Sequence, residues 1–244
     1  MQAIILAAGV GSRLRPITNE LPKCLVQVNG KSIIEYQIDA YLDAEIEEII
    51  VLTGYMQEKL VKFLKSKYQN VKITFINNDY YRTTNNMYSL YLAKDLIKGE
   101  FIMSNADVVF SKDMVKLLLK NKEDSIIAVE KDMYNEESMK IVVSKNKVKS
   151  ISKQIEKSKA YGTSIDLYKF NKEATELMFT EISYIINKDK NLNSWTEVAL
   201  DSILYKTIFK PMNIGERFWY EIDNHEDLKS ADKIVKEYLE RNDK

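Results

Sequence analysis

Residues 2–7 (QAIILA) form an apolar run with no polar alternation, and 46–53 (IEEIIVLT) is a second such run. Short uninterrupted runs of this kind read as strands buried on both faces. Between them, KSIIEYQIDAYLDA sets Ile33, Ile34, Tyr36, Ile38, Tyr41 and Leu42 at broadly helical spacing. The alternation then repeats. MQEKLVKFLKSKY reads as helix, VKITFIN as strand, NNMYSLYLAKDLI as helix, GEFIMSNADVVF as strand, KDMVKLLLKN as helix and SIIAVE as strand. Strand and helix in turn predict βαβ units and a Rossmann-like α/β fold. Its central sheet would be mixed but mainly parallel, with helices on both faces. Such sheets take their ligands at the carboxyl ends of the strands, so the residues just after each strand matter most.

The rhythm changes after about residue 130. KIVVSKNKVKSISKQI and KAYGTSIDLYKF predict strands joined by turns, followed by helices near 171–187 and 195–204 and a last helix over 225–240. No Pro/Gly/Ser linker, internal repeat or low-complexity tract interrupts the chain. The expectation is one domain over 1–244, with a core over 1–130 and an extension over 131–244.

Lysine and arginine balance aspartate and glutamate to a net charge of zero, so the molecule as a whole does not attract nucleic acid or an anionic membrane. Any anion site must be local. The one cysteine, Cys24, excludes an intramolecular disulfide and reads as a small buried residue. No stretch reaches the roughly 20 apolar residues of a membrane span, and the first residues lack the basic and small-residue features of a signal peptide. A cytoplasmic protein is expected. A single histidine, His225, leaves no histidine metal cluster and no two-histidine relay, and it reads as a surface residue in the first turn of the last helix. Any chemistry falls to carboxylates, lysines and arginines.

The first apolar strand runs into Gly9 and Gly11, followed by Arg13 and Arg15, with Lys23 after Pro22. Glycines let backbone approach an anion, and three cations beside the turn suit a polyphosphate. An ordinary strand-to-helix loop with solvated arginines fits a bare GxG equally. Asp107 follows one later strand and Asp223 another. A magnesium ion on a triphosphate needs only one or two protein carboxylates, yet each aspartate also suits a turn or a helix cap.

LAAGVGSRLRPITNELPKCLVQVNGKSIIEY resembles the signature of the sugar-phosphate and choline-phosphate nucleotidyltransferases, G-x-G-x-R-L followed by P-x-T and P-K. The resemblance implies a GT-A-like nucleotidyltransferase fold with Arg13 and Lys23 as catalytic cations. It implies a nucleotide site of Leu6, Ala7, Ala8, Gly9, Gly11, Gly54, Tyr81, Thr83, Asn85, Asn105 and Ala106, and Mg²⁺ on Asp107 and Asp223. Arg15 falls outside the pattern and reads as a solvated neighbour. YYRTTNNMYSLYLAKDL is similar to the Tyr-x-x-Thr-Asn-Asn…Ser-Leu segment of the LicC-like cytidylyltransferases, which implies CTP and a phosphorylated small acceptor as substrates. Thr84 or Asn85 also suits a helix cap there. A homodimer is compatible with this reading.

On the acceptor side, EESMKIVVSKNKVKSISKQI resembles the same branch, with Lys140 and Lys153 either phosphate contacts or solvated strand residues. Glu130, Trp195, Glu197 and Trp219 complete the candidate acceptor wall. Its aromatic faces suit either a quaternary ammonium or the core, and Glu197 or Asp201 could add charge. Many relatives carry Gly-Glu where this chain has Gly162-Thr163, which leaves the acceptor open. A hexose-1-phosphate nucleotidyltransferase using another nucleotide, a catalytically silent nucleotide-binding protein and an unrelated α/β binding module are the rival readings.

Overall fold

A computed structural model describes residues 1–120 and 124–242 of the chain. The opening apolar run is strand β1 (Gln2–Ala7). Its Ile4 and Leu6 point into one hydrophobic cluster and its Ala3, Ile5 and Ala7 into another. Both faces are therefore covered, which is why the run lacks polar alternation. A short helix α1 (Ile17–Glu20) and a two-stranded hairpin, β2 (Gln27–Val28) and β3 (Lys31–Ser32), lead into helix α2 (Ile33–Asp43). Ser32 and Glu35 form a capping box at the start of α2, with the Ser32 hydroxyl 2.6 Å from the Glu35 carboxylate. Then come β4 (Glu48–Thr53), α3 (Gln57–Lys67), β5 (Lys72–Asn77), α4 (Asn86–Leu92) and β6 (Phe101–Asn105).

β5, β4, β1 and β6 lie side by side and parallel, which is the expected βαβ core. The run FIMSNADVVF departs from a single strand. β6 stops at Asn105, the chain turns through Ala106 and Asp107, and β7 (Val108–Phe110) pairs in a separate small sheet. Helix α5 (Met114–Leu119) follows; the expected helix over 112–121 ends at Asn121, which lies outside the described residues. So do residues 243–244 at the end of the expected domain.

Beyond this point β8 (Ser125–Lys131), the hairpin β9 (Lys140–Ser144) and β10 (Lys147–Ser152), and β11 (Gly162–Phe170) extend the sheet with antiparallel pairing. Helices α6 (Lys172–Asn187) and α7 (Thr196–Ile203) pack over one face. β12 (Phe209–Asn213) was not legible in the sequence because Pro211 interrupts it; the strand lies at an edge, parallel to β8, where a missing amide proton is tolerated. β13 (Trp219–Glu221) pairs with β7, and the last helix α8 (His225–Asn242) packs its Ala231 and Val235 with Leu14, Val26 and Val28. Helix α8 thus carries the end of the chain back onto the loop that follows β1.

Candidate active site

The loop after β1 turns at Gly11, whose φ of 64° is left-handed. A Cβ there would lie 2.8 Å from the Lys23 Cβ, so this glycine is needed chiefly because Lys23 packs against it. Gly9 differs, since a Cβ there meets nothing within 4 Å and would project into open cleft. Thr18 donates its hydroxyl to the Gly11 carbonyl at 2.8 Å, which fixes the return of the chain toward Lys23.

Lys23 is the hub. Its Nζ lies 2.8 Å from Asp107 Oδ2 and 2.8 Å from Asp223 Oδ1, and Arg13 reaches Asp223 Oδ2 at 2.8 Å. Burial alone would lower the Lys23 pKa, but the charges and hydrogen bonds of Asp107 and Asp223 outweigh it and hold the ammonium protonated. Burial likewise pushes Asp223 up, and Lys23 with Arg13 together bring it below its ordinary value. Each aspartate is held by a defined local structure. Buried Gln37 of α2 donates to the Asn105 and Val108 carbonyls, both at 2.7 Å, and so clamps the turn that presents Asp107. Asn224 and Asp227 cap the start of α8 reciprocally, and this leaves the Asp223 side chain facing the cleft.

A third carboxylate joins them. Glu221 lies two residues before Asp223, and ligand oxygens of Asp107, Glu221 and Asp223 all fall within 4.8 Å of one another. Burial, then the charges of Asp166, Asp107 and Asp223, push the Glu221 carboxyl up to about 9. Asp107 Oδ1 is buried and has no hydrogen-bond partner. A buried carboxylate oxygen left unpaired beside two further carboxylates fits a hard divalent cation, which oxygen ligands bind.

These groups line a cleft of about 270 Å³ at the carboxyl ends of β1 and β6. Of the residues expected at the nucleotide, Leu6, Ala8, Gly9, Tyr81, Asn85 and Asn105 line it. Ala7, Ala106 and Lys23 line a small adjoining recess, with Asp107 common to both. Gly54 does not line the cleft but supports it, because a Cβ there would come within 2.7 Å of the Ala8 carbonyl and 2.8 Å of Tyr81 Cβ. Thr83 is exposed, and Thr84 takes the lining position in its place. Thr84 and Ser89 are tied by the buried Asn78, whose Nδ2 donates to both hydroxyls at 2.9 and 3.0 Å. Asn85 accepts from the Asn86 amide and is the N-cap of α4.

The acceptor candidates divide. Lys153, Trp195 and Glu197 line the same cleft. Glu130 and Trp219 hydrogen-bond each other at 2.5 Å in a neighbouring cavity of about 560 Å³, which shares Arg13, Glu221 and Asp223 with the cleft. Lys140 lines neither cavity. It is fully buried, and its Nζ donates to the Glu136 and Lys153 carbonyls at 2.7 and 2.6 Å, so its donors serve backbone rather than an acceptor. Asp201 accepts from Ser150 and the Ile151 amide and fastens α7 to β10. Cys24 is buried and Arg15 exposed, as expected. His225 begins α8 and contacts the Arg15 carbonyl.

Sequence reasoning missed Glu221 and Asp166. Glu221 and Asp223 are i and i+2, so they share a face in extended chain, and that spacing was the available signal. Asp166 sits where the pairing of β11 with β8 slips between Ser164 and Tyr168, with a left-handed φ of 55°. A bulge of this kind re-aims a side chain, and here it brings Asp166 Oδ2 to Asn105 Nδ2 at 2.8 Å.

An α/β sheet with a glycine loop, paired cations and converging carboxylates at its strand ends suits the class of enzymes that transfer groups from nucleotides. The chain belongs to the nucleotidyl transferase family, whose model matches residues 2–237. It is 42% identical over 137 residues to the CTP:phosphoglutamine cytidylyltransferase of Campylobacter jejuni, covering 54% of this chain and 53% of that protein. It is 47% identical over 116 residues to the choline-phosphate cytidylyltransferase of Streptococcus pneumoniae, covering 48% of each. The chain thus matches about half the length of these curated relatives. The solved structure of the S. pneumoniae CTP:phosphocholine cytidylyltransferase LicC superposes with a TM-score of 0.77 at 27% identity, over 96% of this chain and 98% of that one. A putative glucose-1-phosphate thymidylyltransferase from Bacillus anthracis shares the fold, with a TM-score of 0.81 at 20% identity. Among the described residues no helix is long and apolar enough to cross a membrane.

Proposed function

We propose that the protein is a cytidylyltransferase that moves CMP from CTP onto a small phosphorylated acceptor and releases pyrophosphate. The observation that carries this reading is the convergence of Lys23 and Arg13 on Asp107 and Asp223 beside the Gly9 loop. The names of the relatives support CTP as the donor nucleotide.

The acceptor already bears an anionic phosphoryl oxygen, a competent nucleophile at neutral pH, so the reaction requires no general base. What the protein must supply is alignment and charge neutralisation. In this reading Lys23 faces the α-phosphate, Arg13 draws off charge as pyrophosphate leaves, and Gly9 leaves space for the triphosphate along the backbone. Asp107, Asp223 and Glu221 would hold Mg²⁺, which when bound neutralises phosphate charge and orients the reacting groups. Tyr81, Thr84 and Asn85, which line the same cleft, would contact the base and ribose.

The test is pyrophosphate release with each of CTP, UTP, dTTP and GTP against phosphocholine, phosphoethanolamine, 2-aminoethylphosphonate and glucose 1-phosphate. Release with CTP and a head-group phosphate is expected. Release confined to a hexose 1-phosphate with another nucleotide would replace this reading with the sugar-phosphate one.

A further inference from the structure

Tyr168 is fully buried, and its hydroxyl lies 2.9 Å from Asp166 Oδ1 and 3.0 Å from Glu197 Oε1, while Ser164 Oγ donates to it at 3.1 Å. A phenol has one proton. It can serve only one of the two carboxylates at a time, so the other faces the Tyr168 oxygen with no proton between them. Asn105 supplies one further donor, to Asp166 Oδ2, and does not relieve the shortage at Oδ1. Among the described residues neither Asp166 nor Glu197 has a cation within ion-pair distance. Glu197 draws on its own backbone amide and feels Lys153 from beyond ion-pair distance, but at the Tyr168 oxygen the pair is one proton short and has no ion-paired cation, and both carboxylates line the cleft that holds Asp107, Glu221 and Asp223.

Resting on the cytidylyltransferase reading, we infer that Asp166, Glu197 and Tyr168 form the seat for an N–H-bearing ammonium on the acceptor. The substrate class is then a short phosphate or phosphonate that carries a primary amine. An –NH₃⁺ group brings three donors and one charge, and so meets both shortages at once. A trimethylammonium group brings charge without a donor, and a neutral alkyl group brings neither. Trp195, the tryptophan in the cleft wall, already has Lys153 Nζ 4.9 Å from its ring centroid, so a cation occupies one of its faces. Without such a ligand the shortage is met by keeping a carboxyl protonated: burial, then the neighbouring Glu197 charge, raises Asp166 to about 7.

Three acceptors with a common phosphate separate the possibilities: phosphoethanolamine, its trimethyl counterpart phosphocholine, and ethyl phosphate. Sites built to hydrogen-bond an N–H reject analogues that lack it by factors reaching about 10⁴. With CTP and Mg²⁺, kcat/KM for phosphoethanolamine should exceed that for either analogue by at least about a hundredfold. Asp166→Asn should lower it about 10- to 100-fold, mainly through KM, and lower kcat/KM for ethyl phosphate by clearly less. Equal or better use of phosphocholine by the wild-type protein would overturn the assignment, whether or not the variant folds. Calorimetric titration with the same three compounds reads the seat without turnover. Preferential binding of phosphoethanolamine without CMP transfer would support the seat and sink the cytidylyl reading alone, whereas binding without preference, or no binding, would sink the seat.

Discussion

Lys23 and Asp223 stand 200 positions apart in the chain and 2.8 Å apart in the folded protein. The contact closes the site, because Asp223 reaches the cleft only when β13 and α8 have returned to pack on the segment around Leu14 and Val26. It also sets up an electrostatic trade. Lys23 is the cation between two carboxylates that would otherwise repel, and its side chain is only 14% exposed.

Replacing Lys23 with Ala is therefore expected to act twice. Turnover should fall by about two to four orders of magnitude, as for loss of a cation that stabilises transition-state charge. Stability without divalent metal should fall by about 1–3 kcal/mol, since Asp107 and Asp223 lose their shared partner. Mg²⁺ should restore much of the stability and none of the rate. Thermal unfolding with and without Mg²⁺, beside a turnover assay, checks both; a variant with near-normal rate would remove Lys23 from the chemistry.

The carboxylate triad predicts a graded series in metal affinity. Asp107→Asn and Asp223→Asn should each weaken Mn²⁺ binding about 10- to 100-fold, measured from the free-ion electron paramagnetic resonance signal. Glu221→Gln should cost about tenfold, placing it in the same site. Unchanged affinity in Glu221→Gln would mean that its nearness to the two aspartates serves packing only.

Asp166 makes stability pH-dependent in a direction opposite to that of a salt-bridged acid. Its carboxyl is raised from 3.8 to about 7 by burial and by the charges of Glu197 and Asp107, with Tyr168 and Asn105 as its hydrogen-bond partners. Between those values the folded protein holds a proton that the unfolded chain has released, so stability is greatest below about pH 4 for this group and declines as pH rises to about 7. Burial raises Glu197 too, which adds in the same sense. Asp166→Asn removes the titration, and asparagine tolerates the left-handed backbone. The variant should gain about 1–3 kcal/mol above pH 7 and show a shallower decline from pH 4 to 7 in thermal unfolding.

Much of this site was legible in the chain because it is built from residues at strand ends. Gly9, Arg13, Lys23, Asp107 and Asp223 lie just beyond apolar runs or in fixed spacing to one another; local pattern made them candidates and the longer family signature singled them out. The parallel core was legible for the same reason, since β1 and β4 are buried on both faces and advertise it by composition. Asp166 was not, because its direction depends on a register slip between β11 and β8 that pairing partners far apart in the sequence create. Lys140 misled in the opposite way: a lysine on a strand reads as solvated or ligand-facing, yet two backbone carbonyls absorb its ammonium in the core. Tertiary hydrogen bonding decides such residues, and no periodicity encodes it.

The two glycines of the opening loop should separate cleanly on mutation. Gly11→Ala forces a side chain into a left-handed position and against Lys23, with a Cβ 2.8 Å from the Lys23 Cβ. Its expected cost is about 1–3 kcal/mol of stability together with lower kcat, because Lys23 must move. Gly9→Ala meets nothing within 4 Å and should leave thermal unfolding within about 0.5 kcal/mol of the parent. Its methyl would project into the space assigned to the triphosphate, so CTP affinity should fall about tenfold or more by calorimetric titration. If Gly9→Ala instead bound CTP normally, the triphosphate would have to run along another wall of the cleft, and the roles given to Arg13 and Lys23 would have to move with it.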